Sequence, residues 1–154
     1  MSRTKGNKRA GSAFERQFAR RLADAGFWVH IFQDNKNGQP CDVIAAKDGE
    51  AYLFDCKDCE KGYFRLERME ENQLNAMKLF RMTGNAGGMF AVRFPEREIY
   101  LADYRVLRDL KDQGVKSLGR HEMRGYARSL EDWLMETERC GGGEAGSDAR
   151  HDWV

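Results

Sequence analysis

The sequence predicts an α/β fold, a mixed central β-sheet flanked by α-helices, and three observations carry the prediction. Pro40-Cys41-Asp42-Val43-Ile44-Ala45-Ala46 and Glu50-Ala51-Tyr52-Leu53-Phe54-Asp55-Cys56-Lys57 flank an Asp48-Gly49 turn signal and read as an antiparallel hairpin. Segments with apolar residues at helical spacing stand before and after this hairpin. The order helix, three strands, helix, two strands, helices shows no internal repeat and is that of a layered α/β domain.

Taken in order, Met1 to Gly11 is a basic stretch expected to be a flexible arm. Ser12-Ala13-Phe14-Glu15 has the capping-box pattern, so a helix is expected over residues 12–25, with Gly26 as its stop and Phe14, Phe18, Leu22 and Ala25 as its buried stripe. Glu15 fits two roles here, bonding back to Ser12 or reaching a site. Phe27 to Phe32 is aromatic and β-branched, a first strand. His30 lies in it, and a lone strand histidine more often packs than catalyses. Residues 34–39 are polar turn material. Beyond Lys57 a charged loop leads to a helix expected over residues 66–83, in which Gln73 has polar neighbours and reads as a solvated-face residue. Two strands joined by Pro95-Glu96-Arg97 follow, then a short helix capped by Asp103. A last helix is expected over residues 123–138, with Tyr126, Leu130, Trp133 and Leu134 on its apolar face. Residues 140–154 have the composition of a disordered tail, leaving 12–139 as the folded domain.

The chain of 154 residues is long enough for one core, and its 41% hydrophobic and 33% charged residues are those of a soluble domain. It has no apolar run of membrane-spanning length, and no apolar segment follows the basic start, so a cytoplasmic protein is expected. The net charge of +1 hides an asymmetry. Residues 1–40 carry eight basic side chains against three acids, and residues 131–154 carry seven acids against two arginines. A basic start suits contact with a polyanion, and Arg3, Lys5, Lys8, Arg9, Lys61, Arg65 and Arg68 are candidate phosphate contacts. Neither G-x-x-x-x-G-K-[ST] nor G-x-G-x-x-G is present, which argues against nucleotide hydrolysis and dinucleotide chemistry.

The chemistry concentrates in the hairpin. Strand alternation puts Leu53, Asp55 and Lys57 on one face and Tyr52, Phe54 and Cys56 on the other. Antiparallel pairing brings Asp42 beside Asp55, and two carboxylates held together call for a cation between them. Oxygen ligands and a phosphate substrate favour Mg²⁺, with Mn²⁺ as substitute. Asp42, Asp55 and the strand carbonyl near Cys56 are the expected ligands, Glu15 completing the shell or holding a second ion, and Lys57 orienting a water or neutralising developing charge.

Helix Glu, then Pro-x-Asp, then Asp-x-Lys on the next strand resembles the PD-(D/E)XK nuclease superfamily; here the residues are Glu15, Pro40-Cys41-Asp42 and Asp55-Cys56-Lys57. Gly11-Ser12-Ala13-Phe14-Glu15, Tyr63-Phe64-Arg65-Leu66, the Gln73 helix, the strands after Gly88 and Lys116-Ser117-Leu118 are similar, in sequence and order, to RecU-type Holliday junction resolvases over roughly residues 6 to 122. The resemblance implies the restriction-endonuclease-like fold, a homodimer and Mg²⁺-dependent cutting of branched DNA, a four-way junction above all. It implies Glu15, Asp42 and Asp55 as the site acids, Lys57 as the catalytic lysine and Gln73 as a supporting or DNA-facing residue.

There are two departures from that pattern. The acid before x-Lys is often Glu, whereas Asp55 is one methylene shorter. The stalk of RecU-type enzymes has no room in residues 33–39, so the chain is closer in length to compact archaeal Holliday junction resolvases. Three other readings stand beside this one: a nuclease for flaps, ends or duplex DNA; a DNA-binding recombination accessory without catalysis; and a zinc or thiol module built on Cys56-Lys57-Asp58-Cys59.

Overall fold

A computed structural model describes the backbone of residues 2–33 and 40–141 and the side chains of residues 13–33 and 40–139. The side chains of Arg3, Lys5, Lys8 and Arg9, the 34–39 stretch and most of the expected tail lie outside those described residues.

The chain begins with α1 (Ser2–Asp24). The helix starts well before the expected cap, so Ser12 is interior to it and residues 2–11 of the expected arm form its first turns. The Lys, Arg and Ala content of that stretch favours helix, and its two glycines do not outweigh it. Gly26, at φ 96°, ends the helix as expected. Strands β1 (Trp28–Ile31), β2 (Val43–Lys47) and β3 (Glu50–Asp58) follow as an antiparallel meander. The β2–β3 turn is the one anticipated, with Asp48 and Gly49 both at positive φ.

The stretch expected as a loop and one long helix resolves differently. It contains β4 (Tyr63–Arg65), a 3-10 turn over Leu66–Arg68, and only then α2 (Glu71–Met82). Strand β5 (Gly87–Arg93) then runs parallel to β3, the crossover being made by α2. Strand β6 (Ile99–Asp103) returns antiparallel, and α3 (Tyr104–Asp112) starts at the expected cap, Asp103, whose carboxylate accepts from Arg105 N–H at 2.8 Å. After α3 come β7 (Ser117–Gly119) and α4 (Arg120–Met123), and the helix expected over 123–138 is replaced by a turn, β8 (Arg128–Ser129) and α5 (Leu130–Gly141). Tyr126 lies in that turn and is exposed.

The result is a six-stranded mixed sheet in the order β1-β2-β3-β5-β6-β8 and a separate β4-β7 pair. Two cores cover its faces. Phe14, Phe18 and Leu22 of α1 and Leu130 and Trp133 of α5 pack with Val43, Ala45, Phe54 and Ala91 on one side. Leu74 and Met77 of α2 and Leu107 and Leu110 of α3 pack with Leu53, Phe90 and Val92 on the other. The alternation read from β3 holds, Leu53 and Phe54 falling in opposite cores. Among the described residues no helix is long and apolar enough to cross a membrane.

Candidate active site

The carboxyl end of β3 and the start of β2 meet because of their register. Val43 pairs with Phe54, so Asp42 stands next to Asp55, its N–H donating to Phe54 O at 3.0 Å. Asp42 Oδ2 accepts from Cys56 N–H at 2.8 Å, which fixes the carboxylate against the neighbouring strand. Asp55 is 3% exposed, one of two buried polar or charged side chains among the described residues; the other is Gln73.

Gln73 reaches this acid through a local feature that sequence spacing did not single out. It is the third residue of α2, and its Oε1 accepts from Glu70 N–H at 3.1 Å in a capping box at that helix start. The amide is thereby oriented with its nitrogen turned inward, where it donates to Asp55 Oδ1 at 3.2 Å. Gln73 is therefore not on a solvated face as expected. The cue available in the sequence was the Glu70-x-x-Gln73 spacing.

Lys57 Nζ lies 3.0 Å from Asp55 Oδ2, and both side chains are largely buried. The contact is an ion pair whose angles depart from an aligned hydrogen bond, so Lys57 holds that buried oxygen chiefly by charge. Burial pushes the Asp55 carboxyl up to about 8; Lys57 opposes this, while the charge of Asp42 and its contact with Asp55 add to it. A buried acid beside a second carboxylate is an oxygen donor set that fits a hard divalent cation.

Among the described residues no three His, Cys, Asp or Glu side chains converge as a complete ligand set. Two carboxylates nevertheless match Mg²⁺, which is commonly held by one or two carboxylates together with waters and substrate phosphate. Glu15 approaches from the α1 side, and its charge acts on Cys56. The Cys56 thiol faces α1, so toward the carboxylates this residue offers backbone: its N–H is already on Asp42, and its carbonyl is the remaining group.

Arg93 is a residue that sequence reasoning missed. It closes β5 opposite Asp58, grips that carboxylate through Nε at 3.1 Å and a terminal nitrogen at 2.6 Å, and donates to Gln17 Oε1 of α1. Its guanidinium also lies 4.5 Å from the Phe14 ring centre. It thus ties the helix that carries Glu15 to the strand that carries Asp55. A lone cation ending an otherwise apolar strand was the available signal.

The other candidates are placed unevenly. Arg68 donates to Asp58 O and to Cys59 Sγ, Arg65 pairs with Glu67, and Lys61 is exposed. Cys56 packs in the α1-side core and Cys59 in the α2-side core, so the two thiols are divided by the sheet and a zinc or dithiol module is ruled out. Burial raises both thiols, Cys59 to about 11 against the pull of Arg68. His30 is exposed on β1.

A mixed α/β sheet with two carboxylates and a lysine at the end of one central strand has the build of an enzyme acting on phosphate esters. The chain belongs to the archaeal Holliday junction resolvase (Hjc) family, whose model it matches over residues 6–137. In fold it is similar to Hjc of Archaeoglobus fulgidus, a Holliday junction resolvase from an archaeal hyperthermophile. The TM-score is 0.62 and the identity 16%, over 82% of this chain and 96% of that one. No curated protein matches the sequence.

Proposed function

We propose that this protein is a PD-(D/E)XK endonuclease that cuts phosphodiester bonds in branched DNA, with the four-way Holliday junction as its substrate. The observation that carries the reading is the meeting of Asp42, buried Asp55 and Lys57 at one strand end. Family membership supports the junction as substrate.

Asp42, Asp55 and the Cys56 carbonyl would hold Mg²⁺, or Mn²⁺ in its place. The cation supplies charge neutralisation at the phosphate and lowers the pKa of a water. Gln73 holds Asp55 in one orientation. The Lys57 ammonium, anchored by Asp55, positions the attacking water or offsets charge growing on the phosphate oxygens. Glu15 adds negative potential from the α1 side and draws cation to the site. Two symmetric cuts require two such centres, so the working form is a homodimer.

The test is a substrate panel of four-way junction, flap, nicked and linear DNA with Mg²⁺, run beside an Asp42→Asn control. Paired symmetric cuts in the junction that vanish in the control are expected. Equal cutting of all substrates would favour a nuclease of other specificity, and Mg²⁺-dependent cutting by the control would refute the site.

A further inference from the structure

On the face of the sheet that carries Asp55, the edge strand β1 exposes aromatic rings. Trp28 is 63% exposed, a large apolar side chain left in water. His30, two residues on, is also exposed, and its ring is nearly parallel to the indole, 15° apart with centres 6.4 Å apart. Phe32 continues the row, its ring edge-on to His30 at 5.5 Å. The face is fixed by register. His30 pairs with Ile44 and Ile44 with Leu53, while Ile44 and Phe32 pack against the α2-side core that contains Leu53. Leu53, Asp55 and Lys57 alternate onto that same face.

The row leads into the proposed centre. Phe32 N–H donates to Asp42 O at 2.9 Å, so the last ring of the row sits on the residue bonded to the catalytic strand. Helices α2 and α3 lie chiefly over β3, β5 and β6, so among the described residues no helix covers the β1 side of this face.

We infer that Trp28 and His30 form a stacking platform for base faces exposed at the branch point of the DNA whose backbone enters the Asp42–Asp55 centre. The inference rests on the nuclease reading above. A branch point exposes base faces that linear duplex keeps stacked, so this platform gives branched DNA a contact that duplex lacks. A second copy of the chain is a poorer occupant. Covering both rings completely hides on the order of 300 Å², against about 800 Å² per partner in a stable interface.

The test uses the full chain in an Asp42→Asn background, so that binding is read without cutting. Its probes are a four-way junction with 2-aminopurine at the branch point and a linear duplex of the same sequence. Trp28→Ala should weaken junction binding about ten-fold or more, the loss of one stacked base. It should also abolish the quenching of 2-aminopurine and leave duplex binding and the mass by light scattering unchanged. Trp28→Phe keeps a ring and should keep most of the affinity and the quenching. Equal weakening on junction and duplex overturns the inference, as does undiminished junction binding by Trp28→Ala. A fall in mass identifies the row as a contact between copies and overturns it too. Failure of the Asp42→Asn parent to bind the junction overturns the nuclease reading together with this one, whereas a parent that binds beside an unaffected Trp28→Ala overturns the platform alone.

Discussion

Gln73 Nε2 donates to Asp55 Oδ1 across 3.2 Å, while Oε1 of the same amide accepts from Glu70 N–H. One side chain both starts α2 and orients the buried acid of the site. Gln73→Ala should therefore cost about 1–3 kcal/mol in stability, the range for leaving buried polar groups unpaired. It should also raise the Mg²⁺ concentration needed for half-maximal cleavage. Thermal unfolding and a Mg²⁺ titration of cleavage measure the two effects; an unchanged metal requirement would confine Gln73 to capping.

In the proposed reaction Asp42 and Lys57 serve the same phosphate, and both stand beside Asp55. Asp42→Asn and Lys57→Ala should each lower the cleavage rate at least about a hundred-fold, with the double variant little worse than either. Junction affinity should persist, because phosphate contacts elsewhere supply binding. Single-turnover cleavage beside gel-shift titration separates these effects; multiplicative losses in the double variant would show that the residues work independently.

The hairpin was legible because three cues agreed: alternation along β3, the Asp48-Gly49 turn and acids at the strand ends. Asp42, Asp55 and Lys57 are together for those reasons. The capping box was misplaced, since Ser12-x-x-Glu15 and Glu70-x-x-Gln73 both fit the spacing and only tertiary context selects the second. The β4-β7 pair was not legible, because Phe64 and Leu118 face each other across more than fifty residues and three-residue strands carry no periodicity of their own. Arg93 was overlooked for a related reason: both of its anchors, Asp58 and Gln17, are distant in sequence.

Gly88 bears on the same helix. A Cβ there would lie 2.4 Å from both Cβ and Cγ of Met77, one turn along α2 from Gln73. Cβ cannot rotate away, so Gly88→Ala must push α2 off the sheet. A cost of about 1–3 kcal/mol is expected from such overpacking. Cleavage measured well below the melting temperature should fall as well, because Gln73 moves with the helix. Full activity alongside a lowered Tm would show that α2 position and catalysis are uncoupled.

Arg93 links three elements, and its loss should be felt at α1. Arg93→Ala leaves the half-buried Asp58 carboxylate without its fork and should cost about 1–3 kcal/mol by urea unfolding. Arg93→Lys keeps the charge and loses the paired contact, so it should recover only part of the stability. If Arg93 positions the helix of Glu15, both variants lower cleavage in the order Ala below Lys. Equal activity of all three forms would remove Arg93 from the site.

Asp103 offers a pH dependence away from the carboxylates of the candidate site. Burial pushes its carboxyl up, but hydrogen bonds from the Arg105 side chain and backbone N–H, together with the Arg105 charge, outweigh this and hold it below the usual value. An acid lowered on folding stabilises the native state above its unfolded pKa, and that contribution is lost as pH falls through the folded value. Asn at the same place still caps α3 but carries no charge. Asp103→Asn should thus be slightly less stable than the parent at pH 7, by a few tenths of a kcal/mol for so exposed a pair. The gap should close as pH drops below about 4. Urea unfolding of both proteins across that range reads it out; a gap that stays constant with pH would assign the difference to shape and not to charge.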